Sequence, residues 1–262
     1  MYTVKPRVYK IAETRINAIA MEHMLEDLDG HSEHMKDVIS GQDSEALTEA
    51  AGRMCYRSYG LGVNPNLTKV RTDSNEYFKN TLEKGDGSIF EHASVTFAFL
   101  GVSRVFTHEL VRHRVGVAIS QESMRYVRIT DIGMWLPDTL NERQRNIMRQ
   151  SVTYTEQAYR DLEDSFDWGK MTMTEKKAAT STLRRIVPDG IATNIIWTTN
   201  HRNLRHVLEM RTDPAAEVEI RMVFDEVGKI VKECYPGIYQ DFVRENTGDD
   251  LGWWKATLRR KV

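Results

Sequence analysis

Between Glu109 and Tyr126 the chain reads Glu-Leu-Val-Arg-His-Arg-Val-Gly-Val-Ala-Ile-Ser-Gln-Glu-Ser-Met-Arg-Tyr, which sets three guanidinium groups, an imidazole, two serine hydroxyls and an amide in an otherwise apolar run. Val111, Val115, Val117 and Ile119 lie between the polar groups, so any fold must bury the segment in part and give its charges specific partners. Arginine presents a planar fork of donors that matches phosphate and carbonyl oxygens. Several arginines within reach of one another therefore indicate a site for phosphorylated, heteroaromatic ligands. A solvated basic face paired with acidic neighbours is the plainer reading of any lone basic pair.

A chain of 262 residues can bury a substantial core, and without a Gly/Ser/Pro-rich linker it is expected to form one domain over residues 1–262. A net charge of −2 and a pI near 6.5 argue against non-specific coating of nucleic acid. Cys55 and Cys234 are far apart and form no metal-type pair, so neither a zinc site nor a disulfide framework is expected, and a reducing cytoplasm fits best. Lys5, Arg7, Lys10, Glu13 and Arg15 interrupt the N-terminus, and nothing later approaches the ~20 apolar residues of a membrane span. A soluble, cytosolic protein is expected.

Ala46, Leu47, Ala50, Ala51 and Met54 predict an amphipathic helix from Asp43 to about Tyr56, and Ser74 to Glu83 a second, ended by Lys84-Gly-Asp-Gly. Ser94 to Leu100 reads as a buried strand, and Ser103 can cap a helix running to about Arg114. Ser123 to Arg128 reads as extended. Asp138 should begin a long polar helix to about Asp164, and Thr174 should cap another through Arg185. Ile191 to Thr199 is a strand candidate, Asn200 is placed to cap a helix through Met210, and Pro214 suits the first turn of a last helix ending near Cys234.

His108-Glu109-Leu-Val-Arg-His113 superficially resembles a zinc-protease helix, but histidines five apart diverge by about 140° at 3.6 residues per turn. On a helix, Glu109 would share a face with Arg112 and His113, either as a stabilising ion pair or as ligand contacts. Asn200 to Arg211 forms a second cluster. Leu204, Val207 and Leu208 can face the core, leaving Arg202 and His206 one turn apart on another face, while a solvent-facing position is the simpler reading of Arg205. The free backbone donors of that helix start favour anions. His92, in Glu91-His92-Ala-Ser94, reads on its own as a hydrogen-bonded structural histidine, and Gly85-Asp86-Gly87 as a plain turn rather than a calcium loop. No Ser/His/Asp order, phosphate-cradling glycine loop or dinucleotide fingerprint is present.

Taken in order, Phe90-Glu91-His92-Ala93-Ser94, Thr107-His108-Glu109, Arg112-His113-Arg114, Ser123, Arg125-Tyr126, Arg184…Pro188, Asn200-x-Arg202, His206 and Met210-Arg211 resemble the flavin-dependent thymidylate synthase family over roughly residues 45–245. The resemblance implies an α+β fold of long helices packed with a small antiparallel sheet, in a homotetramer whose sites combine residues of several subunits. It implies conversion of dUMP to dTMP with methylenetetrahydrofolate as one-carbon donor, NADPH as reductant and FAD as cofactor. By resemblance Ser94, Arg112, His113, Arg114, Asn200, Arg202 and His206 hold FAD. Glu109, Arg112, Ser123, Arg125, Arg184 and Arg211 contact the nucleotide, and Gln121 touches both ligands. Arg211 is the residue expected to stabilise negative charge on the pyrimidine, and neither cysteine matches a nucleophile. The spacer Val115–Glu122 has eight residues, one more than is usual in the family, and an insertion there should bulge the loop against the ligands. That departure keeps open the ribonucleotide UMP as substrate, as in relatives of nucleoside-antibiotic pathways. A non-catalytic nucleotide- or RNA-binding protein is the rival from another class.

Overall fold

Local capping chemistry fixes most helix boundaries in the computed structural model, which describes residues 1–28, 33–129 and 131–258. Strands β1 (Tyr2–Thr3) and β2 (Arg7–Glu13) lead into helices α1 (Ala18–Asp27), α2 (Glu33–Ser40), α3 (Asp43–Tyr56) and α4 (Ser74–Lys84). The Gln42 and Asp73 side chains accept from the Glu45 and Glu76 amides to start α3 and α4, and Gly85 ends α4 in the left-handed region at φ +73°. After β3 (Ser94–Ser103) come α5 (Arg104–Leu110), β4 (Val117–Gln121), β5 (Gly133–Met134), α6 (Glu142–Asp164), α7 (Met173–Leu183) and β6 (Ala192–Asn200). Helices α8 (His201–Arg211) and α9 (Val218–Cys234) and the hairpin β7 (Phe242–Asn246) with β8 (Gly252–Ala256) complete the order. The main sheet runs β2-β3-β6-β4. No helix among the described residues is long and apolar enough to cross a membrane.

The chain divides into two compact units. The first comprises Met1–Tyr9, Ala98–Arg112 and Ile119–Trp197. Here Phe99 meets Phe106 edge-on at 5.4 Å and lies 6.2 Å from Trp197, all three fully buried. Ile132, Met134, Leu136, Val152 and Ile191 form a second apolar cluster. Burying side chains of this size contributes roughly 1.5–3 kcal/mol each. Helix α6 is polar on most of its surface but turns Glu156 inward, where the carboxylate accepts from the chain's amino terminus at 2.5 Å and from the Ile132 amide at 3.1 Å.

The second unit comprises Lys10–Phe97, His113–Ala118 and Thr198–Val262. Leu204, Val207 and Leu208 of α8 and Ile220, Val223, Phe224, Val227 and Val231 of α9 are buried, which is the 3.6-residue period of two helices sharing a core. The β7–β8 hairpin is antiparallel, pairing Phe242 with Ala256, and the Trp254 indole donates to Asp225 of α9 at 2.8 Å.

Several boundaries differ from the sequence reading. Helix α5 ends at Leu110, four residues before Arg114, so Glu109, Arg112 and His113 do not share a helical face. Ser123–Arg128 turns rather than extends, because the Ser123 carbonyl accepts from the amides of both Tyr126 and Val127. Helix α6 starts after Asn141 rather than at Asp138, since Asn141 and Gln144 cap one another reciprocally. Thr172 with Glu175 does the same for α7, which places Thr174 inside the first turn and leaves Arg184–Ile186 as a separate 3-10 turn. Pro214 lies ahead of α9, whose amides at Glu219 and Ile220 are capped by Glu217.

Candidate active site

Helix α8 organises the site in the second unit. Asn200 closes β6 and caps α8, its side chain accepting from the Asn203 amide at 2.9 Å. The same residue is tied to the turn after Arg114, for its amide donates to the Gly116 carbonyl at 3.1 Å. Gly116 sits at φ +66°, and a Cβ there would fall 2.1 Å from Asn200 Nδ2. Only glycine lets the Asn200 side-chain amide lie this close to the turn. The eight-residue spacer therefore folds as a turn about Gly116 followed by strand β4, not as a bulged loop.

A cavity of about 620 Å³ opens beside this helix start. Asn200, Arg202 and His206 line it together with Phe90, Glu91, Val115, Met210 and Trp253, so three of the predicted flavin contacts share one space. Arg202 pairs with Glu91, a partner the sequence reading left unassigned. Arg205 also lines the cavity but is not a solvent-facing cation. Its guanidinium grips Asp241 at 2.8 and 2.7 Å, donates to the Ile238 carbonyl at 2.6 Å and lies 4.8 Å over the Phe242 ring. A carboxylate from the segment after α9 explains why periodicity misplaced it.

His113 and Arg211 meet across 98 residues of sequence. Arg211 Nε donates to His113 Nε2 at 2.8 Å, and the His113 ring stands edge-on to His206 with centroids 6.0 Å apart. Burial first, then the neighbouring charges of Arg211 and His206, push the His113 pKa down to about 4. At neutral pH the ring is uncharged, with its proton on Nδ1 and its Nε2 lone pair engaged by Arg211. Ser94 lies outside the cavity lining, half-buried at the start of β3, where its amide donates to the Thr14 hydroxyl at 2.9 Å. Arg114 and His92 are exposed.

The remaining predicted residues belong to the first unit. The Gln121 side chain donates to the Thr107 hydroxyl at 3.2 Å, the Ser123 hydroxyl accepts from the Arg125 amide at 3.3 Å, and Glu109 is half-buried. Arg112, Arg125 and Arg184 are exposed. The structure also brings in residues that the sequence reading missed. The Arg104 guanidinium donates to the Glu122 carbonyl at 3.0 Å, and its pKa is lowered by burial and by the like charge of Arg184. The Glu122 carboxylate accepts from the Asn194 amide and side chain at 3.1 and 2.7 Å. Arg104 carried a sequence signal in standing just ahead of Thr107-His108-Glu109, whereas Asn194 carried none. Apart from Arg211, the predicted nucleotide contacts fall in the first unit. Apart from Arg112 and Gln121, the predicted flavin contacts fall in the second.

The sequence pattern of the family described as "Thymidylate synthase complementing protein" matches residues 37–237. The flavin-dependent thymidylate synthase of Mycobacterium avium (strain 104) is 36% identical over 204 residues, covering 75% of this chain and 79% of that protein. That of Corynebacterium efficiens is 33% identical over 213 residues, covering 79% and 82%. Among solved structures, the fold resembles a UMP/dUMP methylase, PolB of Streptomyces cacaoi, bound with 5-Br dUMP. That match has a TM-score of 0.64 at 18% identity and covers 92% of this chain and 96% of that one. The same enzyme bound with 5-Br UMP gives 0.64 at 16% identity, covering 91% and 94%.

Proposed function

This chain belongs to the flavin-dependent thymidylate synthase family and is an enzyme of it, and from that premise we propose that it methylates C5 of dUMP to give dTMP, using methylenetetrahydrofolate, NADPH and FAD. Family membership displaces the reading of its arginines as a non-catalytic nucleotide- or RNA-binding surface. The observation that carries the proposal is the cavity beside α8 with the His113–Arg211 pair next to it. Its donor set suits FAD. Arg202, the Asn200 side-chain Nδ2 and His206 can meet phosphate oxygens, and Phe90, Val115, Met210 and Trp253 offer the apolar surface that a flat ring needs. The Gly116 backbone, where a Cβ would strike Asn200, keeps that amide in place at the cavity.

Ser94, Arg112, His113, Arg114, Gln121, Asn200, Arg202 and His206 are the proposed flavin-binding set. Glu109, Arg112, Gln121, Ser123, Arg125 and Arg184 are the proposed nucleotide-binding set, with Arg211 acting on the pyrimidine. FAD, when bound, supplies reducing equivalents taken from NADPH. Uracil C5 is a poor carbon nucleophile, and a guanidinium at the N3/carbonyl edge stabilises the negative charge that develops on the ring as C5 attacks. Ser123 and Arg125 suit the nucleotide phosphate, which holds the ring in register. We further propose a cytoplasmic homotetramer in which neighbouring subunits complete each site. The chain passes between its two units five times, which supports treating residues 1–262 as one domain.

Purified protein should carry or take up FAD and release dTMP when given dUMP, NADPH and methylenetetrahydrofolate. Protein that stays colourless with added FAD would overturn the proposal. The longer spacer supports a second reading, in which UMP is accepted as well as dUMP. Because Val117 opens strand β4, deleting it would turn the following side chains to the opposite face. Val115 in the preceding turn lines the cavity proposed for FAD, so a side-by-side turnover assay of the unmodified enzyme with dUMP and UMP is the cleaner test. Strict rejection of UMP by the unmodified enzyme would show that the spacer leaves the sugar pocket unchanged.

A further inference from the structure

The second unit holds another pocket, of about 100 Å³, walled by α3, α4 and the irregular segment that joins them. Its frame is a buried ion pair. Arg53, 1% exposed, donates to the Glu49 carboxylate through Nε at 2.9 Å and Nη2 at 2.5 Å, and lies 4.6 Å over the Tyr77 ring. The same guanidinium donates to the Ser58 and Arg71 carbonyls at 2.9 and 2.6 Å, which fastens both ends of the joining segment to α3. Since Glu49 neutralises Arg53, the surplus charge of the pocket comes from its other cations, Lys69, Arg71 and Lys84. The Lys84 ammonium lies 5.7 Å from the Tyr56 ring. One carboxylate, Asp86, opposes them and accepts from the Tyr56 hydroxyl at 3.4 Å.

Pockets that enclose a whole small molecule run to several hundred Å³, so a space of this size takes a single charged group. Three cations against one carboxylate select an anion. A phosphate fits best, because it concentrates roughly two negative charges in one compact group. The carboxylates of a folate's polyglutamate tail are spread one to a residue along a chain and match the pocket less well. Thr81 and Asp86 wall both this pocket and the cavity beside α8, so a group held here stands at the edge of the space proposed for FAD. Resting on the function proposed above, we propose that this pocket receives the 2′-phosphate of NADPH, with Lys69, Arg71 and Lys84 as its anchors. The reductant then has a recognition site apart from the residues proposed for FAD and for the pyrimidine nucleotide.

The test titrates the flavin-loaded protein by calorimetry with 2′,5′-ADP, which carries the 2′-phosphate, and with 5′-AMP, which lacks it. Lys69 and Lys84 are exposed, so replacing both should leave the fold intact. Lys69→Gln with Lys84→Gln should weaken 2′,5′-ADP about tenfold and leave 5′-AMP within about twofold. Anaerobic reduction of the bound flavin should follow suit. Half-saturating NADPH should rise about tenfold in the double variant, with NADH changed less than about twofold and the limiting rate unchanged, since these groups act on docking and not on the chemical step. Added salt should weaken NADPH more than NADH, because the contacts are between exposed charges. Unchanged affinity for 2′,5′-ADP or equal weakening of both adenylates would overturn the assignment. A loss confined to polyglutamylated methylenetetrahydrofolate would also overturn it, by giving the pocket to folate carboxylates. Unmodified protein that takes up no FAD would instead overturn the functional reading and this inference with it.

Discussion

Acid should destabilise this protein through His201. The first residue of α8 is fully buried, its Nδ1 lies 3.1 Å from the Tyr239 hydroxyl, and the Tyr235 ring stands edge-on 4.6 Å away. Its Nε2 is buried without a hydrogen-bond partner. Burial chiefly, and then the charge of Arg205, push its pKa down to about 3. The unfolded chain takes up a proton at this histidine below about pH 6.5, whereas the folded protein does not until about pH 3, so stability falls as pH drops through that window. From pH 7 to pH 5 the unfolded state gains about 1.5 pH units of proton affinity, worth about 2 kcal/mol at 1.36 kcal/mol per unit. Urea unfolding at both pH values, at one protein concentration and with the same flavin loading, should show it. Other groups titrate in the same range, so the reading is the difference from His201→Gln, which keeps a polar partner for Tyr239 but does not titrate. The unmodified protein should lose about 2 kcal/mol more than His201→Gln between pH 7 and pH 5. Equal losses would refute the reasoning, because they would mean that the imidazole is protonated in the folded state or that the unfolded state does not bind the extra proton.

Arg211→Ala should keep its flavin and lose roughly 10² to 10³ in kcat, the usual effect of removing one preorganised donor to developing charge; near-normal turnover would sink its assignment. Gly116→Ala should lower the unfolding temperature and weaken FAD binding at least tenfold in a flavin titration, since the new Cβ would meet Asn200 Nδ2 at 2.1 Å and force that residue out of its cap, itself worth about 1 kcal/mol. Unchanged FAD affinity in that variant would show that Asn200 plays no part in the cavity. Cys55→Ala with Cys234→Ala should leave methylation working, as Cys55 is exposed, Cys234 is half-buried, and neither lines the cavity beside α8. A folded, flavin-bound double variant without activity would contradict the mechanism.

What the sequence by itself determined is local. The span of α3, the glycine stop of α4, the Asn200 cap of α8 and the inward face of Leu204, Val207 and Leu208 all follow from interactions within about four residues, and each stands as read. The order of the Arg-His-Arg, Ser-x-Arg-Tyr and Asn-x-Arg motifs was likewise enough to recognise the family. Tertiary structure decided the rest, because the deciding groups lie far away along the chain. Helix α5 stops at Leu110, although nothing in its residue types forbids another turn. Arg205 faces Asp241 and an aromatic cluster rather than water, and Glu122 binds Asn194, through hydrogen bonds that span 36 and 72 residues. The His113–Arg211 pair spans 98. Periodicity can say which side of a helix is buried, but not which buried partner waits there. A charged or imidazole side chain takes its role from that partner, which only the folded chain supplies.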